Sequence, residues 1–222
     1  MRIALIAAVL LTPLSEAASL TGSVVDVTGA YIPRAGVELD SSAQKYQTQT
    51  DDAGVYQFAN LPAGEYTLTI RVPGFRYLTI RAIRLLDPEQ KRIPDVPLEI
   101  ATCPWPPSRD LILLAPGDTF GRLAGSVTPP MAEVEVTLVC RTFSPCRSAK
   151  TDSTGRFVFE TLSPGVYGLN FRRDGFYPVN ATGYSYTVNV GWESRYYMAL
   201  ARCPNGNCDP KLRPKRPLAI CE

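Results

Sequence analysis

TDDAGVYQFANLPAGEYTLTIRVPGF, residues 50–75, occurs a second time as TDSTGRFVFETLSPGVYGLNFRRDGF at residues 151–176, with no gap between the two. The shared positions are Thr50, Asp51, Gly54, Phe58, Leu61, Gly64, Tyr66, Leu68, Arg71, Gly74 and Phe75, answered by Thr151, Asp152, Gly155, Phe159, Leu162, Gly165, Tyr167, Leu169, Arg172, Gly175 and Phe176. Asp51 and Gly54 suit a four-residue turn: a side-chain acceptor first, a residue tolerant of positive φ last. Tyr56 and Phe58 then alternate with Gln57, and Tyr66, Leu68 and Ile70 alternate with Thr67, Thr69 and Arg71, the period of half-buried strands. Leu61-Pro62-Ala63-Gly64 reverses the chain between them, and Pro73-Gly74 ends the second strand, as Asp174-Gly175 does in the other copy. Each copy is predicted to be a β-hairpin with one buried face. A lone hairpin is marginal in water, so each copy needs further strands.

Those strands have their own signature. Leu20-Thr21-Gly22-Ser23-Val24 and Gly29-Ala30-Tyr31-Ile32-Pro33-Arg34-Ala35-Gly36-Val37 precede the first hairpin. With the L-P-x-G-x-Y turn and the closing G-F, they resemble the carboxypeptidase regulatory-like domain. In the second copy Leu123, Gly125 and Val127 match Leu20, Gly22 and Val24, but Val127-Thr128-Pro129-Pro130 shortens the first connection. The resemblance implies an all-β class of two tandem transthyretin-like β-sandwiches, immunoglobulin-like in architecture with Greek-key connections. It implies no chemistry, because such modules sit beside carboxypeptidases, at the front of outer-membrane receptors and in surface proteins without catalysing anything themselves.

Met1-Arg2, the apolar run from Ile3 to Leu11 and the small residues Ser15 and Ala17 read as a signal peptide over residues 1–17. The apolar run is too short for a spanning helix, which needs ~20 residues. The expected organisation continues with sandwich one at 18–101, a Pro-rich linker at 102–120, sandwich two at 121–203 and a Cys/Pro/basic tail at 204–222. Within the linker, Leu111-Ile112-Leu113-Leu114 reads as a buried strand, the first of copy two or one pairing with it. The tail, with Lys211, Arg213, Lys215 and Arg216, reads either as a solvated end or as a contact for an anionic envelope polymer. A net charge of +2 on 222 residues leaves no electrostatic footprint for nucleic acid. Twenty prolines and sixteen glycines suit short strands joined by tight turns.

The chain has no histidine. Ser-His-Asp and Cys-His nucleophile systems and the usual zinc-hydrolase ligand sets are thereby excluded. No phosphate-binding, dinucleotide-binding or nucleophile-elbow motif is present. Asp51 and Asp52 could bind calcium, but the copy has Asp152-Ser153, so the pair reads as turn chemistry. No catalytic residue, metal ligand or cofactor is expected. The six cysteines behind a secretory leader read as disulfides. Cys140 and Cys146 flank a turn between two predicted antiparallel strands, where the ~5.5 Å Cα spacing of a disulfide is within reach. Cys203 and Cys208 bracket Asn205-Gly206, and Cys103 is left for Cys221. Trp105, Tyr184, Tyr186 and Trp192 are the candidate ligand-contact aromatics, with core packing as the alternative for those on strands.

The sequence therefore reads as a non-enzymatic, secreted or periplasmic protein without a transmembrane segment in its mature chain. Its partner is expected to be a protein or carbohydrate of the cell envelope. An accessory module of a separate hydrolase, and a soluble relative of the front domain of an outer-membrane transporter, are the alternatives.

Overall fold

The structure, a computed structural model, describes residues 17–101, 108–114, 117–140, 145–180 and 186–213. Every long element is a strand. The first unit comprises β1 (Ala18–Asp26), β2 (Gly36–Asp40), β3 (Lys45–Gln49), β4 (Val55–Leu61), β5 (Gly64–Arg71), β6 (Tyr77–Leu85), β7 (Gln90–Arg92) and β8 (Val96–Leu98). After β9 (Ser108–Leu113), the second unit comprises β10 (Gly121–Thr128), β11 (Glu135–Val139), β12 (Pro145–Lys150), β13 (Arg156–Leu162), β14 (Gly165–Arg172), β15 (Tyr186–Val188) and β16 (Trp192–Ala199).

In unit one, β1 pairs with β4 on one side and with β7 and β8 on the other, and faces a sheet ordered β3-β2-β5-β6. Leu20, Val24, Tyr56 and Phe58 from the first layer meet Val37, Leu39, Leu68, Ile70 and Ile80 from the second in one core. Unit two repeats this with β13-β10-β16 against β12-β11-β14-β15, its core holding Leu123, Phe157, Phe159, Leu169 and Phe171. A fully buried side chain of this kind contributes about 1.5–3 kcal/mol, so the alternation read in the sequence is what drives the two layers together.

The repeat is structural down to its irregularities. β4–β5 and β13–β14 have the same lengths and the same turn between them. Asn60 (φ 56°) and Thr161 (φ 55°) occupy the same left-handed position, beside matching bulges against β1 and β10. Tyr66 donates its hydroxyl to Pro62 O (2.7 Å), and Tyr167 does the same to Ser163 O (2.8 Å). Gly22 pairs with Tyr56 and Gly125 with Phe157, and a Cβ at either glycine would collide with the facing ring. The ring of each pair therefore lies over a bare strand.

The stretch expected as a linker holds the largest departure. β9 runs parallel to β6 of unit one and antiparallel to β16 of unit two. The two sandwiches thus share one eight-stranded sheet, β13-β10-β16-β9-β6-β5-β2-β3, instead of being joined by a free connection. Leu111 on β9 enters the core of unit one, and so does Trp192 of β16, which is 1% exposed. A strand buried between two sandwiches needs partners for the backbone groups on both of its edges, and here each unit supplies one.

After β16, the tail makes single 3₁₀ turns at Pro204–Gly206 and Pro210–Leu212. Arg202 lies over the Phe176 ring and Arg213 over Tyr177, so this part of the tail packs back on unit two. The expected signal segment, except Ala17, and the end of the tail lie outside the described residues. Among the described residues no helix is long and apolar enough to cross a membrane.

Candidate functional site

The outer face of the eight-stranded sheet is built by period-2 alternation. Inward residues of β9 and β16 fill cores, and the residues between them must point to solvent. The ladder aligns Thr79 with Asp110, Asp110 with Arg195, and Arg195 with Ala124. Tyr77 and Arg81 on β6, Tyr197 and Glu193 on β16, and Arg122 on β10 share that face.

Two carboxylates on this face are nearly covered: Asp110 is 6% exposed and Glu193 also 6%. Each lies beneath basic or phenolic groups. Arg81 Nε donates to Asp110 Oδ2 at 3.0 Å, and the Tyr197 hydroxyl approaches the same oxygen at 3.4 Å. Arg122 donates to Glu193 Oε2 at 3.1 Å, and Arg195 Nε to its Oε1 at 2.6 Å. Arg122 also pairs with Glu160 of β13. The hydrogen bond it donates to Glu193 is the chief reason the Arg122 guanidinium is held above its ordinary pKa. Charge-assisted bonds of this kind are stronger than neutral ones and hold the guanidinium groups in place.

Further along the face, Glu38 pairs with Arg71, and Arg71 lies over the Tyr77 ring with its guanidinium carbon 5.4 Å from the centroid. Tyr77 is 41% and Tyr197 53% exposed. They stand on strands separated only by β9, hence roughly 10 Å apart. Beside Tyr197, an open hollow of ≈ 620 Å³ is lined by Arg122, Ser126, Lys150, Arg156, Glu160 and Arg195.

Beneath the face, at the seam of the units, Glu99 pairs with Arg76 and with Arg109. Arg109 also donates to Thr187 O (3.0 Å), which the Ser194 hydroxyl bonds as well (2.9 Å). This buried polar cluster ties β9, β15 and β16 to the end of unit one.

The aromatics singled out in the sequence fare differently. Trp192 and Tyr186 are withdrawn from any surface platform: Trp192 fills the core of unit one, and Tyr186 packs edge-on against Tyr196 with centroids 4.5 Å apart. Trp192 takes an inward position of β16, whose outward positions carry the site, whereas Tyr186 belongs to β15 of the other sheet. Trp105 and Tyr184 lie outside the described residues. Cys140 is joined to Cys146 (Cα–Cα 5.9 Å) and Cys203 to Cys208 (4.8 Å), while Cys103 and Cys221 lie outside the described residues. Tyr77 and Tyr197, missed in the sequence, were legible only as the solvent-side members of two alternating strands. Among the described residues no three His, Cys, Asp or Glu side chains converge to hold a metal.

The architecture is that of an all-β protein of paired sandwiches. Residues 19–99 are a carboxypeptidase regulatory-like domain, matched as such by the sequence model of that family. No curated protein matches the chain. Among solved structures, the chain is similar to the TIE protein of Bacillus anthracis (16% identity, TM-score 0.33), covering 84% of this chain and 34% of that one. It is also similar to the minor pilin of Streptococcus agalactiae (14%, TM-score 0.32; 90% and 99% covered). A third is a candidate carbohydrate-binding protein of Bacteroides uniformis (9%, TM-score 0.33; 84% and 99%). The chain thus spans about a third of the Bacillus anthracis protein.

Proposed function

We propose that this is a non-catalytic binding protein, working outside the cytoplasm, that holds a carbohydrate of the cell envelope on the outer face of its eight-stranded sheet. The observation that carries the reading is the pair of exposed rings, Tyr77 and Tyr197, on strands separated only by β9, on a face of ion-paired arginines. Phenol rings offer sugar rings an apolar surface with a polar tip. Guanidinium–carboxylate pairs offer hydroxyl groups donors and acceptors side by side, already fixed before binding. Because the charges are paired within the sheet, the face suits a hydroxyl-rich polymer better than a polyanion.

Four surface carboxylates fit a non-enzymatic role. Asp26, Glu89, Glu133 and Asp152, whose pKa values depart from the ordinary, are all pushed down by hydrogen bonds. None is raised toward neutrality, where a general acid works. A protein partner is the second reading, favoured by the mixed charges that line the hollow, Arg122, Lys150, Arg156, Glu160 and Arg195.

Affinity electrophoresis and pull-down against a panel of envelope polysaccharides test the first reading. The protein is expected to be retarded by at least one polysaccharide, and the Tyr77→Ala/Tyr197→Ala variant to run freely. Equal retardation of both would move the site elsewhere. Retention by none, with capture of an envelope protein, would favour the second reading.

A further inference from the structure

β3 ends the eight-stranded sheet, and its backbone is open. Hydrogen-bonded pairs alternate along an antiparallel ladder. Ser41 N–H bonds Gln44 O and Thr50 N–H bonds Ala35 O, so the pairs between them that exchange bonds involve Tyr46 and Thr48. Lys45, Gln47 and Gln49 therefore turn their N–H and C=O groups away from β2. Only Gln49 O has any further contact, a 3.5 Å one from the Thr48 hydroxyl.

Three other described edges carry guards that this one lacks. β12, its counterpart in unit two, carries Pro145, Arg147 and Lys150, a register shift against β11 and the Cys140–Cys146 bridge at its end. β4 and β13 carry the bulges at Asn60 and Thr161. Charge, proline and bulges are the usual devices that stop edge pairing. β3, Lys-Tyr-Gln-Thr-Gln, has a single charge at its first residue and no shift in register.

We propose that β3 is a self-association edge, which pairs antiparallel with β3 of a second copy about a two-fold axis through Gln47. The three outward backbone positions are symmetric about Gln47, so two-fold pairing sets Gln47 opposite Gln47 and Lys45 opposite Gln49. Up to about six backbone hydrogen bonds then form with no outward group left over. On the solvent side, amide faces amide and the two lysines stand at opposite corners. On the core side, Tyr46 faces Thr48, an aromatic against a β-branched residue, which is a favourable cross-strand pair. A two-fold pairing is closed and stops at two copies. The inference does not rest on the carbohydrate reading, since β3 lies three strands from β6 and Tyr77.

Sedimentation velocity over a concentration series tests it, with Gln47→Lys, Gln47→Glu and Gln47→Pro beside the unaltered protein. Proline is tolerated there because the Gln47 N–H is outside the native ladder. A monomer–dimer equilibrium is expected for the unaltered protein and its loss in each variant alone. Mixing the Lys and Glu variants should restore a dimer, because opposite charges then face across the axis, and that recovery also shows both variants folded. A protein that stays monomeric at every concentration, variants that associate like the unaltered protein, or a mixture that stays monomeric would each overturn the proposal.

Discussion

Thr50 and Thr151 perform one task in two units. The Thr50 hydroxyl accepts from Ala35 N–H at 2.8 Å and donates to Ile32 O at 2.7 Å. The Thr151 hydroxyl accepts from Val134 N–H at 3.0 Å and donates to Met131 O at 2.7 Å. Both side chains are buried, and each pins the entry of β2 or β11 to the end of the neighbouring edge strand. Thr→Val keeps the shape and orphans a buried N–H and a carbonyl. A loss of about 1–3 kcal/mol is expected for Thr50→Val and again for Thr151→Val. Thr→Ser should recover most of it. Urea unfolding measures this, and valine variants as stable as the parent would show the bridges to be idle.

Trp192 belongs to β16 of unit two and is packed in the core of unit one. Trp192→Ala is therefore expected to cost about 3–5 kcal/mol. Its signature should fall across the seam: hydrogen exchange in β5 and β6 should speed up as much as in β10. Faster exchange confined to β10 and β16 would mean that the tryptophan serves only its own unit.

Tyr77 and Tyr197 touch solvent, so replacing them should separate binding from stability. Tyr77→Ala is expected to unfold within about 0.5 kcal/mol of the parent, as exposed substitutions do, while polysaccharide retention falls in both alanine variants. Tyr197→Phe is the finer probe. It keeps the ring and removes only the hydroxyl that approaches Asp110, so stacking should survive it.

Asp152 accepts from Thr154 N–H at 2.8 Å, from the Thr154 hydroxyl at 2.7 Å and from Arg156 N–H at 2.9 Å. The bond from Arg156 N–H, then that from the Thr154 hydroxyl, holds its carboxyl below the ordinary 3.8. A folded-state pKa below the unfolded one gives stability that is present above the unfolded value and lost as pH falls through the folded one. The Thr154 and Arg156 amide signals should therefore titrate with a midpoint under 3.8. Asp152→Asn should flatten the curve. A midpoint at or above that value would contradict the turn geometry.

Local order was written plainly in the chain. The hairpins, their turns and the short first connection of the second copy follow from Asp, Gly and alternating apolar residues, which act over a few positions. The Cys140–Cys146 pairing was legible for the same reason. What the two copies do to each other was not. Leu111-Ile112-Leu113-Leu114 announces a buried strand without saying that both of its edges are taken. Trp192 carries no mark of which core receives it. Asp110 and Glu193 carry no local mark of being covered. Their cover comes from Arg81, Tyr197, Arg122 and Arg195, which only the pairing of β6, β9, β16 and β10 brings near. Long-range register, not local propensity, decides each of these.

The strand shared by the two sandwiches has a mechanical meaning. In a chain of separate modules, a pull on one end is borne by a hinge, and the modules give way one at a time. Here the route from β3 to β13 is an unbroken ladder of backbone bonds. β9 is held along both edges, by five register pairs to β6 and four to β16. Load directed along β9 would have to break those bonds together. The shared sheet would then bear load as one body and not as two, with Tyr77 and Tyr197 keeping their spacing across β9.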